Sequence, residues 1–210
     1  MEFLFKVLLI GDPKVGKTAF VNRYVHDTFF DEYKVTIGVD FALKEIYWHD
    51  HKKIKLQLWD IAGQERYSSM TRVYYKESSG CILMFDLSDR ASFTSVLKWK
   101  RDLDSKCIFG DGKPIPCILL ANKSDIKNRT IDQNEIEVLC KENGFIGWSE
   151  ISVKENLMVE NSIDYLIECI LDRHKGIEDS LDSQNIRNNR NGVYRLDDKS
   201  HNKKVACNSC

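Results

Sequence analysis

The apolar run "FLFKVLLI", Phe3–Ile10, stops on "GDPKVGKT", Gly11–Thr18, and no other stretch restricts the fold so tightly. A short apolar run without polar alternation suits a strand covered on both faces, as in a parallel sheet. The loop after it follows Gly-x-x-x-x-Gly-Lys-Ser/Thr. Placed between a strand and a helix, that pattern turns successive N–H groups inward, where Gly11, Pro13, Lys14, Val15 and Gly16 can line a phosphate cradle. Lys17 then adds charge beside the outer phosphate oxygens, and the Thr18 hydroxyl can ligate Mg²⁺. The alternative at this stage is a plain strand-to-helix bend with a surface lysine.

Further short apolar runs at Cys81–Phe85 and Cys117–Ala121 are bounded by glycine, proline or aspartate. Helix-period stretches alternate with them, at Phe93, Val96, Leu97 and Leu103, and at Val159, Ile163, Leu166, Ile167, Ile170 and Leu171. "KIKLQLW" instead alternates, with Ile54, Leu56 and Leu58 on one face, and reads as a strand nearer an edge. This order predicts an α/β doubly wound fold with one core, since 210 residues hold one well-buried domain. The first unit is expected over 1–175. From 176 to 210 the chain carries six asparagines, five acids and six bases among scattered apolar positions, which predicts a disordered tail.

A net charge of −1 with dispersed lysines and arginines supplies no field for nucleic acid. Cys81, Cys107, Cys117, Cys140 and Cys169 have neither metal-ligand spacing nor a paired framework, as expected of a reduced cytosolic setting. Lys6 interrupts the first apolar run, which therefore reads as a strand and not a secretory leader.

"NKSD", residues 122–125, follows the apolar strand at the carboxyl end where open α/β sheets bind ligands. Asp125 can accept from both N1–H and the 2-amino group of guanine, whereas adenine would leave the carboxylate unpaired. Asn122 would hold the loop, and the Lys123 stem would cover the ring face. In "WDIAGQE", residues 59–65, Asp60 can reach Mg²⁺ through water, Gly63 can offer its N–H to a γ-phosphate, and Gln64 can orient an attacking water.

"GDPKVGKT", "TIGVDF", "WDIAGQERY", "NKSD" and "EISVK", in that order, make residues 3–174 resemble the Rab branch of the Ras-like small GTPases. The resemblance implies a P-loop GTPase domain with a mostly parallel six-stranded sheet, one antiparallel strand, and helices on both faces. It adds Ala19, Phe29 and Tyr33 to the nucleotide contacts, with Phe29 stacking on guanine. Thr36 would join Thr18 and Asp60 at Mg²⁺ when a γ-phosphate is present, and Ser152, Val153 and Lys154 would form the last base-contacting loop. Ile37 and the aromatic trio Phe41, Trp59 and Tyr74 would face effectors; the alternative is that the trio belongs to the core. "TIGVDFALK", "DIAGQE", "WKRDLDSK" and "GFIGW" look like the sub-branch associated with melanosomes and other lysosome-related organelles.

Three positions depart from the family pattern. Pro13 has no N–H to offer, Lys14 must avoid a strained φ at a place usually held by glycine or alanine, and Val153 stands where alanine is usual. At the end, Cys207 and Cys210 in "CNSC" resemble a double geranylgeranylation site, though the same letters form a Cys-a-a-X box that takes one prenyl group. The implied protein cycles between GDP and GTP. Its partners would be an exchange factor, a GTPase-activating protein, a prenylation escort, a GDP-dissociation inhibitor and GTP-state effectors. It would sit on the cytoplasmic face of intracellular membranes by lipid anchor, with a cytosolic pool. A scaffold that holds GTP without hydrolysing it, and a nucleotide kinase, remain as alternatives.

Overall fold

The computed structural model describes residues 2–32, 34–49, 51–67, 71–182 and 194–195. Strand β1 (Glu2–Ile10) leads through the glycine loop into helix α1 (Lys17–His26). Strands β2 (Val39–Trp48) and β3 (Lys52–Ile61) form a hairpin, and a 3₁₀ turn at Gly63–Tyr67 precedes the short α2 (Thr71–Tyr75). Strands β4 (Gly80–Asp86), β5 (Cys117–Asn122) and β6 (Gly147–Glu150) then alternate with helices α3 (Arg90–Lys106), α4 (Gln133–Glu142) and α5 (Val159–Asp182).

The sheet order is β2-β3-β1-β4-β5-β6, and among the strands of the described residues only the β2–β3 pair is antiparallel, as the resemblance implied. A two-residue strand, β7 (Tyr194–Arg195), pairs in parallel with Gly147 and Trp148 of β6 and adds a seventh position at that edge.

The runs that look featureless in sequence divide between two layers because successive strand side chains point to opposite faces. In β1, Phe5, Val7 and Leu9 join a core with Phe20 of α1 and Ile163, Leu166, Ile167 and Ile170 of α5. Leu8 and Ile10 join the other core, with Val96, Trp99 and Leu103 of α3 and Ile136 and Cys140 of α4. Burying each such aliphatic side chain contributes roughly 1.5–3 kcal/mol, so packing and not helix propensity holds α5 in place. In β3, Ile54, Leu56 and Leu58 are buried on one face, one strand in from the β2 edge. Leu97, expected on the core stripe of α3, is only half-buried.

Helix starts carry their own signals. Asp132 caps α4 through a reciprocal box with Glu135, at 3.0 Å and 3.3 Å, and Asp89 caps α3 by accepting from the Ala91 N–H. Helix α1 differs: Gly16 precedes it without a side-chain cap. Helix α5 continues to Asp182, past the composition change after Lys175. Within the expected tail, β7 is paired, and most other positions, Cys207 and Cys210 among them, lie outside the described residues. The cysteines at 81, 107, 117, 140 and 169 are free thiols, and no helix among the described residues is long and apolar enough to cross a membrane.

Candidate functional site

The carboxyl ends of β1, β3 and β5, with the loop after β6, surround a cleft of about 810 Å³. The uncapped start of α1 opens into it, and the first N–H groups of a helix have no partner inside the helix. Gly16 has φ 103°, and a Cβ there would fall 2.3 Å from the Asn122 amide nitrogen. Gly11, at φ 141°, lies so close to β4 that a Cβ would fall 2.2 Å from the Met84 carbonyl oxygen. Only glycine fits either place.

Pro13, Lys14, Gly16, Lys17, Thr18 and Ala19 line the cleft, whereas Val15 turns away and is buried. Lys17 is 6% exposed and donates from Nζ to the carbonyls of Gly11 (2.8 Å) and Asp12 (3.0 Å). Burial pushes its ammonium down to about 8, against the opposing pull of Asp60 and Asp12. Lys14 does not avoid the left-handed region as expected: its φ is 67°. A non-glycine residue held there costs roughly 1–3 kcal/mol, which the loop geometry imposes on it.

Three oxygens meet beside this lysine. Thr18 Oγ1 donates to Asp60 Oδ2 at 2.5 Å and lies 2.8 Å from Thr36 Oγ1, while Asp60 Oδ1 is buried without a partner. Burial raises the Asp60 carboxyl, and the Thr18 hydrogen bond and the Lys17 charge oppose that rise. An all-oxygen set with one unspent carboxylate oxygen fits Mg²⁺, a hard cation that prefers such donors. Among the described residues no cluster of three His, Cys, Asp or Glu side chains is poised for a metal, so this fit rests on two hydroxyls and one carboxylate.

At the Asp125 end most polar side chains are already tied, although the Ser124 hydroxyl is buried without a partner. Asn122 donates from Nδ2 to the Val15 carbonyl (2.8 Å) and accepts from the Val153 N–H (3.2 Å), joining the phosphate loop to the loop after β6. The Val153 amide, in the loop expected to contact the base, is thus directed at Asn122 Oδ1. Ser152 is fully buried and donates to Asp125 Oδ1 at 2.6 Å, behind the carboxylate instead of on the cleft wall. Lys123 pairs with Asp86 at 2.6 Å, which holds its stem along the cleft. Asp125, Lys154 and Phe29 line the same space, and Phe29 also faces the Arg23 guanidinium, 5.9 Å from its ring.

Gly63 and Gln64 line the end of the cleft beside Lys17. Beyond it, Ile37 is 91% exposed and Phe41 64%, while Trp59 and Tyr74 are half-buried. Trp59 stacks on Phe41 with centroids 6.2 Å apart, carries Lys6 Nζ 3.8 Å from its ring, and packs at its back against the α3-side core. It therefore belongs partly to each alternative, core and surface. Tyr33, Cys207 and Cys210 lie outside the described residues.

The sequence reasoning missed several residues. Arg23 donates to the carbonyls of Val153 (3.1 Å) and Lys154 (3.2 Å), and Arg129 bridges Ser124 (3.1 Å) and Glu150 (2.9 Å) behind "NKSD". Phe30, Lys34, Val35 and Ile126 line the cleft from segments with no motif. A brace between residues this distant in sequence leaves no local pattern to read.

The Ras family model matches residues 6–172. Ras-related protein Rab-7L1 of Mus musculus is 48% identical over 183 residues, 87% of this chain and 90% of that protein. Ras-related protein Rab-32 of Homo sapiens is 51% identical over 175 residues, 83% of this chain and 78% of that protein. Rab-32A of Dictyostelium discoideum is 52% identical over 173 residues, covering 81% and 79% of the two chains. With that extent of match joined to this sheet order and loop geometry, the chain belongs to the Rab branch of the Ras family of small GTPases, in the Rab-32 subfamily.

Proposed function

We propose that the chain binds and hydrolyses GTP and uses the difference between its GDP and GTP states to recruit effectors in intracellular membrane trafficking. The observation that carries this reading is the convergence of Thr18, Thr36 and the half-satisfied Asp60 beside a buried Lys17. When bound, Mg²⁺ would neutralise charge on the β and γ oxygens. Lys17 and the amides of the glycine loop hold the phosphates, Asp125 selects guanine, and Gln64 aligns the attacking water. Intrinsic turnover is on the order of 10⁻⁴ s⁻¹, with a GTPase-activating protein accelerating it. Purified protein should carry GDP or GTP, and single-turnover assays should release phosphate only when Mg²⁺ is supplied. Retention of neither nucleotide, or a preference for ATP, would overturn the reading.

The γ-phosphate orders the segments around Thr36 and Gly63, and Ile37, Phe41, Trp59 and Tyr74 present that state to helical effectors. An exchange factor, a prenylation escort and a GDP-dissociation inhibitor complete the cycle. Two lipids on Cys207 and Cys210 would anchor the protein stably, whereas one holds it marginally; mass analysis of the mature C terminus separates the two. Membranes of lysosome-related organelles or phagosomes are the expected cytoplasmic-face address. A tagged chain compared with one lacking both cysteines tests that address.

One observation favours a second reading, a GTP-holding scaffold with negligible hydrolysis. Pro13 offers no N–H and Lys14 is held at φ 67° in the phosphate loop. Phosphate release with and without a GTPase-activating protein distinguishes the two, and Pro13→Ser should raise the rate if the loop is what slows it.

A further inference from the structure

Trp99 lies on α3, 87 positions from the phosphate loop in sequence, and is 0% exposed. Its indole N–H donates to the Asp12 carboxylate at 2.8 Å. Asp12 is held a second time through its backbone, because its carbonyl accepts from Lys17 Nζ at 3.0 Å. The peptide that joins Asp12 to Pro13 also forms the floor beneath Gly63. A Cβ on Gly63 would fall 2.3 Å from the Pro13 nitrogen and 2.6 Å from the Asp12 carbonyl carbon. Gly63 therefore rests on that peptide plane, and any shift of the plane displaces its amide.

These contacts form a chain: the α3 indole, the Asp12 side chain, the Asp12–Pro13 peptide, the Gly63 backbone. We propose that Trp99 is a positioning residue that fixes, through Asp12, the surface against which Gly63 reaches the terminal phosphate of a nucleoside triphosphate. The inference rests on the nucleotide reading above and adds a selectivity to it. The amides that open α1 lie beyond the Asp12–Pro13 peptide and grip the inner phosphates from there. The Gly63 contact forms only when a third phosphate is present, so loss of the indole N–H weakens triphosphate retention more than diphosphate retention. Pro13 strengthens the argument, because a fixed φ makes the Asp12–Pro13 unit move as one body.

Dissociation of a fluorescent non-hydrolysable GTP analogue and of fluorescent GDP, both with Mg²⁺, tests this. Trp99→Phe keeps an aromatic ring in the core but removes the donor, and Asp12→Ala removes the acceptor while keeping the carbonyl that Lys17 uses. Each is expected to release the GTP analogue about tenfold faster with GDP release changed less than about twofold, the scale of a misplaced contact. The double variant should be no worse than either single, since both break one link. Asp12→Asn, whose side-chain oxygen still accepts from the indole, should recover most of the loss seen in Asp12→Ala. If Trp99→Phe folds poorly, Asp12→Ala and Asp12→Asn carry the test alone.

Equal acceleration for both nucleotides would mean a general loosening, and multiplied effects in the double variant would mean two unrelated roles. Either result, or no change at all, overturns the inference while leaving the nucleotide reading intact. A wild-type chain that binds neither nucleotide overturns both.

Discussion

The two halves of the cleft are built differently. Around Asp125 three anchoring side chains are already engaged, Asn122 twice, Ser152 on the carboxylate and Lys123 on Asp86, and only the buried Ser124 hydroxyl among the described residues of that loop is left over. Around Lys17 the structure retains unspent polar capacity, with an orphaned Asp60 oxygen, an ammonium weakened by burial, and Thr36 carried by a loop whose next residue, Ile37, is almost wholly in water. A satisfied network is rigid and selects by shape and hydrogen-bond pattern. An under-satisfied one responds to whatever completes it. On the function proposed above, the Asp125 half would decide which nucleotide is held, and the Lys17 half would report how many phosphates it has.

The largest expected effect attacks the rigid half. Asp125→Asn should lower GTP affinity by about 10³-fold and erase the preference over ATP, because an amide cannot accept from two guanine donors; competitive nucleotide titration reads it. Next, Gln64→Leu should slow single-turnover hydrolysis by about tenfold or more with GTP and GDP affinities held within about twofold, which confines the damage to the responsive half. Ser152→Ala removes one charge-assisted hydrogen bond behind Asp125. It should weaken GTP and GDP equally, by about tenfold, a symmetry that loss of a contact to the third phosphate would not give.

Stability changes sharpen the contrast at smaller scale. Lys14→Gly relieves the left-handed strain and should stabilise the fold by about 0.5–1 kcal/mol after the added chain entropy of glycine, raising Tm by about 2 °C. Outside the cleft, Asp164 on α5 is a control. Burial first, then Glu160 and Glu168, raise its carboxyl from 3.8 to about 6, with Lys44 and His49 opposing. A raised carboxyl means that the folded state holds the proton more tightly. Its cost is therefore absent below about pH 4 and complete above pH 6. Asp164→Asn should stabilise by at most about 1 kcal/mol at pH 7.5, after allowing for solvent screening, and do nothing at pH 4; thermal melts at the two pH values check it.

The responsive half was the more legible in sequence, because backbone-directed chemistry demands fixed residue types at fixed spacing. Gly11, Gly16, Lys17, Thr18 and Asp60 could be placed from the letters alone. The doubly wound order was equally open to reading, since the apolar runs of β1, β4 and β5 are each bounded by breakers. What stayed hidden lies between distant segments. Arg23 against Val153 and Lys154, Arg129 against Glu150, and Trp99 against Asp12 depend on which faces the fold brings together. Lys14 was misread because residue preference argued against a φ that the loop imposes. The extension of α5 to Asp182 escaped because composition marks where a core stops, while a helix can outrun its core.

The glycine that opens the phosphate loop has a second consequence. The second half of β1, Val7–Ile10, is apolar on both faces, so polarity against a one-residue slip falls to the first half, where Lys6 stands. Gly11 resists that slip through sterics: shifting β1 by one step would drive a side chain into the Met84 carbonyl, where a Cβ would stand 2.2 Å away. The same atom-sized gap that lets the loop bend also acts as a peg that sets the central strands in their lane. An insertion anywhere in β1 should therefore scramble the sheet before it touches the cleft.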